Sequence, residues 1–292
     1  MLFNTFMILV LAGMCAGKTI VQGRVGKDLL STTGSVLFFN GVYFAVAMLF
    51  MLVLVLISGS KISAPTIVYG CVFGVVSVLF QFSATSAMRY GPVSLSVLIV
   101  NLSCALPIIV GIVVWQETPS FWFFPGIVFM VAALVFSADF KDLHIPHPKK
   151  WLAFVAMAFF ASGTLNVIQK LHQFTPASEE RSAFVMIAYL VSTVVAMGAS
   201  LLCTKDKTIL APLVKPNILW KTAIVGLILC SYQQLCLVMA HRMPGSVMYP
   251  MLSGMTLVAC TLVGVILFRD PFGIKQKLCV ICGVGAVVFL SL

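Results

Sequence analysis

SATSAMRYGPVSLSVLIVNLSCALPIIVGIVVWQETPSFWFFPGIVFMVAALV, residues 83–135, decides the fold. Gly91-Pro92 and Gln116-Glu117-Thr118-Pro119 cut it into the end of one apolar segment and two further ones. Glycine and proline are the strongest local breakers of regular structure. Between the breaks the apolar runs are long and continuous. A spanning β-barrel needs short alternating segments instead, so these runs are read as helices, which satisfy their own backbone hydrogen bonds inside a bilayer.

The same pattern extends in both directions. Ten apolar segments are predicted, at about 3–22, 32–57, 66–88, 93–115, 120–137, 151–171, 183–203, 218–240, 245–268 and 273–292. The second ends at SGSK, and Pro65 opens the third. Of the 292 residues 61% are hydrophobic and 9% charged, against about 25% charged in an ordinary soluble domain. No soluble fold of this length hides so much apolar surface. Ten spans of about 20 residues use most of the chain and leave only short loops. The segment MLFNTFMILVLAGMC lacks the basic start of a cleaved leader and is read as a retained first span.

The longest polar stretch, ADFKDLHIPHPKK at 138–150, divides the chain almost in half. Comparing the halves at a shift of 152 residues pairs Gly74 with Gly226, Gln81 with Gln233, Pro92 with Pro244 and Ser94 with Ser246. Arg89 meets His241, and Glu117 falls near Asp270; a shift of 147 pairs Gln22 with Gln169. The shared spacing of polar and punctuating residues indicates an internal repeat. Each unit has five helices, an odd number, so the second enters the membrane from the opposite side. The expected fold is therefore an all-α integral membrane protein of ten transmembrane helices, two inverted five-helix repeats at 1–140 and 148–292.

Charge sets orientation and partners. The formal net charge is +10. The basic residues are scattered among loops beside apolar segments, where they serve as juxtamembrane anchors facing anionic lipid; the bilayer is the expected partner and nucleic acid is not. One set of loops carries 14 of the 18 Lys and Arg, and the other carries Lys61, Lys170, Arg181 and Arg242. That count puts the basic set in the cytoplasm and both termini outside.

All eight acids lie in loops or at helix ends. Exporters of cationic drugs often trade a proton on an intramembrane carboxylate, so a cationic solute is disfavoured. Lys18, the most deeply placed charge, reads either as a snorkelling side chain or as a cation facing a solute; Lys170 has a similar place in the sixth helix, and together they would suit an anionic or zwitterionic metabolite. Gln81, Gln233, Asn40, Asn101 and Asn166 lie within apolar segments and should face the bundle interior, as interhelical glue or as walls of a pathway. Tyr249 and Ser253 share a helical face. Pro107 and Pro250 each free a carbonyl in a spanning helix and are candidate helix-break or gating points. Gly13 with Gly17 and Gly70 with Gly74 permit close helix packing, within the fold or between subunits, so a monomer or a homodimer is expected.

Motifs for enzymatic chemistry are absent. The nine cysteines, including the C-x-x-C of Cys279 and Cys282, lie mostly in apolar runs and read as packing residues. No catalytic residue, metal site or cofactor is expected.

Two stretches, 83–135 and LVMAHRMPGSVMYPMLSGMTLVACTLVGVILFRDPFGIKQKLCVICGVGAVV at 237–288, resemble the helix 3-4-5 signature of the ten-helix EamA-type branch of the drug/metabolite transporter superfamily. Pro107, Glu117 and Gly126 match it in the first copy. The second departs: Ala259 stands near the proline position, Asp270 replaces Glu and Cys279 stands where Gly is usual, with Gly283 further along. The resemblance implies inverted repeats, alternating access and a small-molecule substrate, in relatives that move amino acids, nucleotide sugars, phosphorylated sugars or drugs. It also implies cytoplasmic termini, against the charge count. The small multidrug resistance relatives use a membrane-embedded Glu in helix 1, where this chain has Lys18. The expected function is secondary transport of a small polar metabolite, with cationic-drug efflux or a non-transporting assembly role as alternatives. Compact ends without a targeting extension favour a bacterial plasma membrane.

Overall fold

A computed structural model describes residues 2–23, 32–137, 147–204, 211, 213–267 and 273–292. The first nine residues of the central linker, and Asp270, lie outside them. Among the described residues the chain is helical, with no strand: α1 (Leu2–Gly23), α2 (Thr33–Ser58), α3 (Ala64–Tyr90), α4 (Val93–Asn101), α5 (Ala105–Val113), α6 (Phe123–Ser137), α7 (Pro148–Gln173), α8 (Arg181–Cys203), α9 (Pro216–Arg242), α10 (Gly245–Leu267) and α11 (Ile274–Ser291). Helices α4 and α5 are one span, so eleven helices make ten apolar spans. Eight of these are long enough to cross a membrane, and Phe3–Lys18 and Phe123–Ser137 are shorter apolar helices.

The helix ends follow local chemistry. Thr32 and Ser35 form a capping box on α2: the Ser35 amide donates to Thr32 Oγ1 at 3.1 Å and the Thr32 amide to Ser35 Oγ at 3.2 Å. Gly59, at φ 60°, closes that helix in the left-handed region. Pro148 and Pro216 occupy first helical positions, where a missing N–H costs nothing.

The single helix predicted over 93–115 is interrupted. A 3-10 turn, Leu102–Cys104, separates α4 from α5. Pro107 follows three residues later; its ring displaces the carbonyl of Ser103, and the chain tightens to accommodate it. Pro250, by contrast, lies inside an unbroken α10.

The chain forms two compact units, each built from both halves of the sequence. The first comprises Met1–Ala16, Ser83–Lys170 and Val238–Leu292; the second comprises Gly17–Phe82 and Leu171–Leu237. In the second unit, α2 and α3 both pack on α8 through small residues. Ser200 Oγ donates to Gly34 O at 2.8 Å, and Ser192 Oγ to Gly74 O at 3.0 Å. A Cβ on Gly74 would sit 2.5 Å from Ala188 O, and one on Gly70 would sit 3.0 Å from Ile187. The Gly70/Gly74 pair thus packs as a GxxxG motif should, whereas Gly13 and Gly17 meet nothing within 4 Å among the described residues. In the first unit, α6 and α11 pack through Gly126 against Leu290 and through the Trp122–Phe289 stack at 5.7 Å. Large apolar side chains such as Ile57 and Leu202 stand exposed around the spans, as a lipid-facing surface requires.

Candidate functional site

In the first unit polar chemistry gathers where α9 ends and α10 begins. Met243-Pro244 interrupts the helix, which leaves orphan carbonyls on one side and orphan amides on the other. Each set finds a charged partner. The Glu117 carboxylate accepts the Gly245 amide through Oε1 and the Ser246 amide through Oε2, both at 2.8 Å. Lys170 Nζ donates to Ala240 O at 2.7 Å and Met243 O at 2.5 Å. An anion on a helix N-terminus and a cation on a C-terminus both oppose the helix dipole.

Local conformation aims the carboxylate. Gln116 adopts φ 53°, in the left-handed region, and turns the chain sharply after α5. Gly111 leaves room for the carboxylate: a Cβ there would lie 2.6 Å from Glu117 Oε2. A Cβ on Gly245 would meet Trp115, Lys170 and Tyr249, so those three side chains converge on one backbone point. Tyr249 OH donates to Asn166 O at 2.7 Å and lies 3.4 Å from Gln169 Oε1.

Lys170 lies at the same break. Its side chain is 5% exposed and its ammonium donates to two carbonyl oxygens, so it braces a helix end. The residue lies close enough in space to orphan carbonyls to be captured by them, which its position in α7 alone does not reveal.

The remaining candidates separate by unit. Asn166, Tyr249, Ser253, Asn101, Pro107 and Pro250 belong to the first, and Lys18, Asn40, Gln81 and Gln233 to the second. The structure brings Tyr249 to Asn166, and Ser253 lies against the Cys104 thiol. Asn101 Nδ2 donates to Val97 O at 2.9 Å, one turn back in its own helix. Lys18 and Gln81 are half-buried. Asn40 is 2% exposed and Gln233 5%, and neither Asn40 Nδ2 nor Gln233 Nε2 has a partner among the described residues. Tyr43 OH, one turn beyond Asn40 in α2, is in the same state.

A second carboxylate junction, which sequence reading missed, lies in the second unit. Glu180 Oε2 accepts the Ser63 amide at 2.8 Å, Ser63 Oγ at 2.8 Å and Thr66 Oγ1 at 2.6 Å. It caps the N-terminus of α3. Buried His172 stands 3.2 Å from Thr66 Oγ1, and its other ring nitrogen is 3.0 Å from Gln173 Nε2. Burial pushes the Glu180 carboxyl up. The donors from Thr66 and Ser63, with His172, outweigh it and hold the group below the usual carboxylate range.

Among the described residues, ten apolar spans define a multi-pass integral membrane protein. Residues 4–139 match the model of the EamA-like transporter family. That half of the chain is similar to the family, which lies within the drug/metabolite transporter superfamily. It is a transporter family rather than a family of enzymes. The match covers the first half, and the departures from the family signature at Ala259, Asp270 and Cys279 all lie in the second. A solved crystal structure shares the fold at a TM-score of 0.74 and 14% identity, covering 99% of this chain and 98% of that one. No curated protein matches the sequence.

Proposed function

We propose that this chain is a secondary transporter of a small polar metabolite, working by alternating access between two inverted five-helix repeats, 1–140 and 148–292, in a bacterial plasma membrane. The observation that supports this most is that the buried amide nitrogens of Asn40 and Gln233 have no partner among the described residues. An amide donor hidden from water without an acceptor costs about 1–3 kcal/mol, and buried polar groups nearly always have partners. A solute rich in carbonyl, carboxylate or phosphoryl oxygen supplies the missing acceptor. Such a solute also matches spans that hold no carboxylate to pair with a cation. In this reading Asn40, Gln81 and Gln233 contact the solute, Lys18 contributes positive charge, and Pro107 and Pro250 are bending points.

Ligand-dependent melting of the detergent-purified protein tests the reading. The panel is amino acids, nucleotides, sugar phosphates and lipophilic cations. A ligand that binds only the folded state raises Tm by mass action. Stabilisation by an anionic or zwitterionic metabolite is expected. Stabilisation by lipophilic cations alone overturns the substrate class in favour of drug efflux.

A further inference from the structure

The end of α3 and the start of α7, both in the first unit, carry a cationic cluster that the transport reading does not use. Arg89 Cζ and Lys150 Nζ lie 6.0 and 5.7 Å from the centre of one ring, Tyr90. Tyr90 stacks on Phe154 at 5.6 Å and 7°, and meets His147 edge-on at 6.1 Å. The platform beneath is fixed. Trp151 is buried with Ala87 and Val155, packs on Gly91, and donates from its indole N–H to Ser96 Oγ at 2.9 Å.

The charges above the platform point outward: Arg89, His147, Lys149 and Lys150 are all exposed. None of them is in an ion pair among the described residues, where Arg181–Glu179 is the one found. Exposed positive charge held on an aromatic shelf attracts a phosphate. The position selects the source of that phosphate. Tyr90 ends α3 and Trp151 lies in the first turn of α7, and helix ends are where belt aromatics are found. Leu152, 60% exposed, lies three residues along α7 from Lys149, on the same face, and offers an apolar surface there. Arg89, Lys149 and Lys150 also belong to the loop set that carries most of the chain's basic residues, and hence to the side expected to face the anionic leaflet.

We propose that Arg89 and Lys150, which flank Tyr90, form with the neighbouring exposed Lys149 a binding site for the headgroup of an anionic phospholipid. The headgroup phosphate lies among the three cations and an acyl chain runs down past Leu152.

Native mass spectrometry of the delipidated full-length protein tests this, with phosphatidylglycerol and phosphatidylcholine of the same acyl chains as probes. The wild type is expected to prefer phosphatidylglycerol. Removing charges one at a time lowers that affinity about fivefold each, so Arg89→Ala with Lys149→Glu and Lys150→Glu loses the preference. Phosphatidylcholine retention and Tm in phosphatidylcholine stay unchanged. Arg89→Ala alone provides the same test should the triple variant not fold, and Arg89→Lys retains most binding. An unchanged preference in the charge-removed variants overturns the site. Displacement of phosphatidylglycerol by excess inorganic phosphate, beyond that caused by chloride at equal ionic strength, also overturns it and reassigns the cluster to a soluble phosphate.

Discussion

Two carboxylates, Glu117 in the first unit and Glu180 in the second, do similar work by different means. Each caps the N-terminus of a helix from the other half of the sequence: α10 for Glu117 and α3 for Glu180. Glu117 spreads both oxygens over two backbone amides, and Lys170 secures the carbonyls on the far side of the same break. Glu180 concentrates three neutral donors on one oxygen, with His172 behind Thr66. The first junction is braced by opposite charges across a helix break. The second is a network of hydroxyls around a single charge. Charge in this chain is spent on helix ends, and neutral amides are left in the spans.

The contrast implies an ordering of mutational costs. Lys170→Met should have the largest effect, because it abolishes two charge-assisted hydrogen bonds to buried carbonyls. A loss of about 3 kcal/mol is expected from about 1.5–3 kcal/mol per such bond. Glu117→Gln should cost somewhat less, about 2 kcal/mol, since one acceptor survives. Combined, the two changes should cost less than their sum, because both act on one helix break. Chemical denaturation in mild detergent reads all three; full additivity would separate the two residues.

The second junction should respond to pH where the first variant pair responds to charge removal. The Glu180 carboxyl is held below its ordinary range in the folded state. Its contribution is therefore present above the ordinary carboxylate pKa and is lost as pH falls through the depressed value. Glu180→Gln should flatten the acid limb of the stability profile, and Thr66→Val should lower stability by about 1 kcal/mol while raising the midpoint of that limb. A profile unaltered by both substitutions would remove Glu180 from the acid response. The smallest effect is expected at Gln116. Gly suits its left-handed backbone better than a residue with a side chain, so Gln116→Gly should stabilise by at most about 1 kcal/mol. A clear loss there would show that the Gln116 bond from Nε2 to Val113 O, at 2.8 Å, outweighs backbone strain.

Hydropathy made the spans legible. The segment predicted over 183–203 is Arg181–Cys203, and the one over 245–268 is Gly245–Leu267. These depend on local composition, which a bilayer reads directly. The interruption at Leu102–Cys104 was implicit in Pro107 but not its extent. The partners of the charges were hidden. Glu117 lies far along the chain from Gly245, and Glu180 from Ser63 and Thr66. Which helix end a loop carboxylate reaches depends on how distant helices pack, and no local pattern records that. The carbonyl partners of Lys170 were hidden for the same reason. Asn40 and Gln233 were singled out correctly as buried amides, but sequence could not show that their donors lack partners while Asn101 satisfies its own.

The most direct test of the central claim is solute flux into proteoliposomes by Gln233→Leu, measured beside its Tm with the metabolite that most stabilises the wild type. Leucine removes from a buried position in α9 an amide nitrogen that has no partner among the described residues, so the unliganded variant should be more stable, by about 1–3 kcal/mol, and yet carry the solute at least tenfold more slowly. Higher stability with lost flux is the signature of a group kept for a ligand at the expense of the fold. Wild-type flux in a stable Gln233→Leu variant would contradict the account.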